Sequence, residues 1–377
     1  MINSKALYIS VAVSIICLQA VSFSGIFLYK FFCFLTIFII RKVKMSTIKF
    51  VGISLFFIIL SSIYSADGQV GVFVQVTTLA PESRYFDTFG SIIPPLNISH
   101  LLSVIFNVIL AFMVVSSLNL DQKDVFKVFS WTLRFTFCVS LIFVFSNDFY
   151  QIVLNSISQS ITPSYAARWN IFSFFDLDRQ IRVHGFFMEP AVMFAVFLMF
   201  ISFLKISFSR TMEFVIYISL LTFFSQSYLG LLCLIFLMSK LFFDTRLILI
   251  VATLVVSVVP ILFDVANYGG SLAARYTFPE VDYGAFGASY LYAMSTNPII
   301  NLVVKFGFIG SLAFVSIIIC LYGPKVLFIL LLASSGYPNF LDFMFLFPFL
   351  MCIQAFKKPS NLGSDKYSPQ NLMFQYR

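Results

Sequence analysis

The chain has 377 residues, of which 60% are hydrophobic and only 11% charged, with 51 Phe and two His. A soluble domain cannot bury that much apolar surface, and the long apolar runs read as an all-α, polytopic integral membrane bundle. Open sheets are excluded because lipid cannot satisfy unpaired backbone groups, and the continuous apolar blocks lack the alternation of a membrane β-barrel. The net charge of +8 does not point to nucleic acid, because the lysines gather in short connections where the positive-inside rule accounts for them.

In chain order, Lys5 precedes about 35 mostly apolar residues. That run is too long for a signal-peptide core and has no small-residue cleavage site, so it reads as an anchor. Apolar spans are expected at about 6–24, 26–40, 50–65, 98–118, 129–147, 188–207, 212–225, 228–243, 246–264, 299–322, 325–335 and 339–356. Several fall short of the ~20 residues a crossing needs, so the count is about 10–12 transmembrane helices. The first two spans read equally as one long helix, and 212–243 as one helix broken at Ser225-Gln226-Ser227. Six cysteines (Cys17, Cys33, Cys138, Cys233, Cys320, Cys352) lie in apolar runs without ligand or redox spacing and read as small core residues.

Alternate connections are basic. Arg41, Lys42, Lys44 and Lys49 flank one, Lys123 and Lys127 the next, then Lys205 with Arg210, Lys240 with Arg246, Lys325, and the Lys357-Lys358 pair. These are expected to face the cytoplasm together with both termini. The other side receives three long, partly helical loops at about 66–97, 148–187 and 265–298. Their basic residues are Arg84, Arg168, Arg179, Arg182 and Arg275, with no lysine. Arginine offers a planar fork of donors suited to phosphate oxygens, so this face reads as built to hold an anion. Residues 1–358 form one membrane domain, and the polar stretch 359–377 reads as a disordered cytoplasmic tail.

Residues 179–191, Arg-Gln-Ile-Arg-Val-His-Gly-Phe-Phe-Met-Glu-Pro-Ala, put two arginines, a histidine and a glutamate at the mouth of a span. Charge beside hydrocarbon is costly and usually functional. Glu189-Pro190 also has a plain reading as a helix start, since proline suits the first helical position and the dipole stabilises a carboxylate there. A glutamate so placed stays ionised near neutral pH, which suits a general base or an arginine partner. His184 reads as a catalyst or as a tethering hydrogen-bond residue, and Gly185 permits close backbone approach or an unusual φ. Arg168, Arg179 and Arg182 are interleaved with Asp176 and Asp178, as in a salt-bridged loop, but Arg275 stands in a separate loop. Two such loops can converge and grip a diphosphate from two directions. Arg134 and Lys305 lie within spans near their ends, where snorkelling to the interface explains both.

Arg182-x-x-Gly185-Phe186-Phe187-x-Glu189-Pro190-Ala191 resembles the Arg…Gly-Phe-x-Glu-Pro segment that opens a central span in O-antigen and exopolysaccharide polymerases of the Wzy type. Phe224-Ser225-Gln226-Ser227-Tyr228-Leu229-Gly230-Leu231 is similar to that family's Ser-x-Ser-x-x-Gly stretch in a short helical pair. The loop bearing Arg275 matches in position. The resemblance covers about 130–356. The family's arginine–glycine spacing in both large loops is absent here, which leaves open which arginine takes which role.

The resemblance implies a metal-independent, inverting GT-C-type glycosyltransferase without cofactor. It would join polyprenyl-diphosphate-linked oligosaccharide donor and acceptor into a surface polysaccharide at the outer face of a bacterial inner membrane. On that expectation Glu189 and His184 are the catalytic residues, and Arg168, Arg179, Arg182 and Arg275 hold the diphosphate. Membrane lipid is a partner, nucleic acid is not, and a chain-length regulator stays open. An O-antigen ligase is the nearest alternative, but the turn Ser334-Ser335-Gly336-Tyr337-Pro338-Asn339 lacks the histidine such ligases carry. A lipid-linked oligosaccharide flippase is the alternative from another class. It would need a polar path through the bilayer.

Overall fold

In a chain so apolar, helices end where Gly, Pro, Asn or Asp offers the backbone another partner. The computed structural model describes residues 4–18, 21–23, 26–37, 45–67, 98–145, 185–187, 190–225, 227–262, 297–335 and 341–356. Among these the helices are α1 (Ser4–Cys17), α2 (Leu28–Ile37), α3 (Met45–Asp67), α4 (Ile98–Leu118), α5 (Gln122–Phe145) and α6 (Pro190–Phe203). The second half supplies α7 (Phe208–Ser225), α8 (Tyr228–Ser239), α9 (Thr245–Leu262), α10 (Pro298–Tyr322), α11 (Pro324–Ser334) and α12 (Phe343–Phe356). A short antiparallel hairpin, β1 (Ser22–Phe23) with β2 (Ile26–Phe27), separates α1 from α2. The first apolar stretch is therefore two helices and not one. The expected loops and tail lie almost wholly outside the described residues.

Local chemistry sets the boundaries. Asp124 N–H donates to Asp121 Oδ1 at 2.9 Å and Asp121 N–H to Asp124 Oδ2 at 3.4 Å, a reciprocal cap that starts α5 seven residues before the expected span. Asn119, at φ 42°, ends α4 in the left-handed region. Asn297 Oδ1 accepts from Ile299 N–H at 3.0 Å and Pro298 opens α10. Gly307, at φ 67°, breaks α10 near its first third, and Gly323, at φ 83°, turns the chain into α11 behind Pro324.

Helices α6 and α12 are apolar all round and buried along nearly their whole length, which makes them the centre of the assembly. α12 packs on α3, α4, α5 and α6, while α6 also meets α8 and α11. Phenylalanine edges lock the contacts: Phe129 of α5 stacks on Phe200 of α6 at 5.4 Å and meets Phe214 of α7 edge-on at 5.1 Å. The outward faces are also apolar, with Phe145 79%, Phe242 75% and Leu312 70% exposed. Among the described residues, two helical stretches, Gln122–Phe145 and the Lys305–Tyr322 part of α10, are long and apolar enough to cross a membrane. At 14 residues each, α6 and α12 span about 21 Å, less than the ~30 Å of hydrocarbon. Neighbouring helices cover them instead.

Helix α7, which ends at Ser225, and α8, which begins at Tyr228, pack against each other and resolve 212–243 into two helices. The helices leave no room for a side chain at Gly230. A Cβ there would lie 2.3 Å from Thr222 Oγ1 and 2.7 Å from Phe194 Cζ. Gly230→Ala is therefore expected to lower stability by about 1–3 kcal/mol, read as a fall in the thermal midpoint of the detergent-purified protein. Adding Thr222→Ala should recover part of the loss.

Candidate functional site

Arg168, Arg179, Arg182, His184, Glu189 and Arg275 all lie outside the described residues. What surrounds the Gly-Phe-Phe-x-Glu-Pro segment is described. α6 begins at Pro190, the position expected of a first-turn proline. Gly185 adopts φ +60°, and a Cβ on it would come 3.0 Å from Thr136 Cγ2 of α5, so the residue answers both a conformational and a steric demand. Phe186 packs on Phe135 and Phe143 of α5, and the buried Phe187 meets Phe197 of α6 edge-on at 6.1 Å. These rings pin the residues just before Glu189 to α5 and α6.

A second polar group lies where α12 begins. Asp342 caps that helix, its Oδ1 accepting from Phe343 N–H at 2.7 Å and from Asn107 Nδ2 of α4 at 3.2 Å. Lys305 of α10 is near enough to attract this carboxylate, and only 1% of it is exposed. The expectation that Lys305 snorkels to an interface is thus corrected. Its side chain runs into the bundle, where Phe306 and the break at Gly307 leave it covered. Hydropathy could not foresee this, because burial depends on which face of α10 meets α3 and α11.

The opposite end holds a cavity of about 1360 Å³. It collects connections far apart in sequence: the start of α5, the α6–α7, α8–α9 and α10–α11 links, and the end of α12. α5 contributes Lys123, Lys127 and Arg134, the α6–α7 link Lys205 and Arg210, and the last two links Lys240 and Lys325. Among the described residues that line it, none is acidic. Glu213, one turn into α7, accepts from Arg134 Nε at 3.0 Å and Arg210 Nη1 at 2.6 Å. Arg134 is therefore held by a carboxylate and by the face of Trp131, 5.9 Å away, and not simply extended to an interface. Reading α5 and α7 separately gave no sign of this pair.

Lys240 is the most constrained of these cations. Its Nζ donates to the carbonyls of Ile201 and, at 2.7 Å, Leu204, which α6 leaves without intrahelical partners at its C-terminal end. Burial, and secondarily the charge on Lys325, push its amine down to about 7. A neutral amine keeps two N–H groups, enough for both bonds. The cysteines also sort by place: Cys17, Cys33, Cys233 and Cys352 are buried, whereas Cys138 and Cys320 sit on exposed faces, contrary to the reading of all six as core.

Comparison with family models, with curated proteins and with solved structures finds no match for this chain.

Between pH 7 and 10 the unfolded chain binds a proton at Lys240 that the folded chain does not, so this group makes stability rise with pH across that window. In neutral detergent, thermal unfolding midpoints of the wild type should climb relative to Lys240→Met as pH increases from 7 to 10. A constant difference between the two would show that Lys240 folds with its charge intact.

Proposed function

We propose that the chain is a polytopic membrane glycosyltransferase that joins polyprenyl-diphosphate-linked oligosaccharide repeat units at the outer face of a bacterial inner membrane. The observation that carries this reading is the segment Arg182–Ala191, a charged run that opens a helix apolar all round. The membrane setting draws support from two helices of crossing length and from large apolar side chains on outward faces, which water would not tolerate in such number. The proposed sidedness draws support from the gathering of basic connections at one end, the end that the positive-inside rule would turn to the cytoplasm.

In this reading the acceptor hydroxyl attacks the anomeric carbon from the side opposite the lipid diphosphate. The glycosidic C–O bond forms, the bond to the polyprenyl diphosphate breaks, and the hydroxyl proton passes to Glu189, with His184 donating a hydrogen bond. Arg168, Arg179, Arg182 and Arg275 hold the diphosphate as negative charge grows on it. The turn at Gly185 and the rings of Phe186 and Phe187, packed on α5 and α6, lie immediately before the Met188-Glu189 pair in sequence.

A second reading, translocation of the lipid-linked oligosaccharide, is favoured by one observation: a titratable side chain, Lys305, is covered within the bundle near the half-buried carboxylate of Asp342. The two readings differ in product. Purified protein in liposomes, given synthetic polyprenyl-diphosphate repeat units without added metal, should yield a ladder of longer glycans. Glu189→Ala should slow the ladder by about 100-fold or more. Unextended repeat units moved between leaflets would establish the transporter, and a normal rate in Glu189→Ala would remove the carboxylate from the mechanism.

A further inference from the structure

The cavity at the basic end draws its basic side chains from four separate connections. Seven basic side chains line it, none of the described lining residues is acidic, and Glu213 stands behind them, bound to Arg134 and Arg210. Like charges brought together over an apolar floor repel strongly, because the low dielectric screens them poorly. Lys240 registers that crowding, its amine being depressed by burial and by Lys325. Residues 357–377 are poor candidates to neutralise the cavity, since they carry Lys357, Lys358, Lys366 and Arg377 against the one carboxylate side chain of Asp365.

Topology alone does not require this arrangement. The positive-inside rule needs lysines near span ends, not lysines from four separate connections converging on one concavity. Nor is the floor that of a simple ion site. Phe126, Phe203, Leu237, Tyr322 and Phe356 make it apolar. Trp131 lines the cavity and is also 57% exposed, and it heads an outward stripe on α5 that continues through Phe135 and Ile142. A basic head pocket opening onto an apolar outer stripe has the shape of an amphiphile with an anionic phosphate head.

We infer that this cavity holds the phosphate head of an anionic phospholipid, with its acyl chains lying along the outer face of α5 past Trp131. Arg210 and the flexible lysines of α5 and the α6–α7 link bind the phosphate oxygens, and Lys240 braces the wall from α6. The site rests on the membrane reading but is independent of sugar transfer. It lies at the end of the bundle opposite the start of α6.

Fluorescence quenching tests this directly, because the chain has two tryptophans, Trp131 and Trp169. Full-length protein carrying Trp169→Phe is reconstituted in phosphatidylcholine with a small fraction of brominated phosphatidylglycerol or, in parallel, brominated phosphatidylcholine. The brominated anionic lipid should quench Trp131 with a preference of roughly fivefold, the equivalent of one basic contact. Lys123→Gln/Lys127→Gln/Lys205→Gln should bring the preference to parity, and the exposed single change Lys205→Gln should lower it part of the way. Equal quenching by the two lipids would overturn the inference, as would a preference that survives the triple change. Loss of the preference on adding inorganic phosphate at constant ionic strength would make free phosphate the occupant and overturn the lipid. Absence of quenching by either lipid would defeat the membrane reading as well, whereas glycan synthesis can fail with the preference intact.

Discussion

A helix buried on every side must find partners for the carbonyls at its end, and in this bundle Lys240 provides them for α6. The two bonds tie the end of α8 to the end of α6 and fix one wall of the basic cavity. They also carry a penalty: a cation brought so far from water, beside Lys325, gives up its proton more readily than an exposed lysine. Any anion entering the cavity would relieve that strain. The structural tie and the electrostatics of the cavity are thus the same feature.

The bundle has two chemically different ends. One gathers lysines and arginines from connections spread over more than two hundred residues, between Lys123 and Lys325. At the other, the described polar groups include Asp342 with its donor Asn107, the covered Lys305, and Asn297 at the start of α10. Of the proposed sugar-joining residues, Glu189 directly precedes in sequence the first residue of α6, which starts at this second end. Phenylalanine fills the middle because its rings pack edge to face without polar groups that would need partners.

Much of this was legible in the residues themselves. Apolar run length located most helices, Pro190 marked a helix start, and the stretch 212–243 resolved beside the residues flagged as a break. Hydropathy failed where polar residues belong to the helix. Gln122–Lys127 looked like a connection, yet Asp121 and Asp124 cap each other and make it the first turns of α5. It also failed for residues whose role depends on a partner distant in sequence. Glu213 is unremarkable until Arg134 is brought against it, and Lys305 looks interfacial until α10 is rotated so that its face turns inward. For the proposed catalytic set, Arg168, Arg179, Arg182, His184, Glu189 and Arg275, the argument stays with residue type and order, because all six lie outside the described residues.

The central claim is that the basic end faces the cytoplasm while the arginine-bearing loops face outward. Labelling intact cells with a membrane-impermeant maleimide measures it, using single cysteines introduced into a chain whose six native cysteines are replaced. Ser271→Cys, beside Arg275, should label from outside, and Ser209→Cys, in the exposed first turn of α7, only after the membrane is opened. Labelling of Ser209→Cys in sealed cells, with Ser271→Cys protected, would invert the bundle and contradict the account.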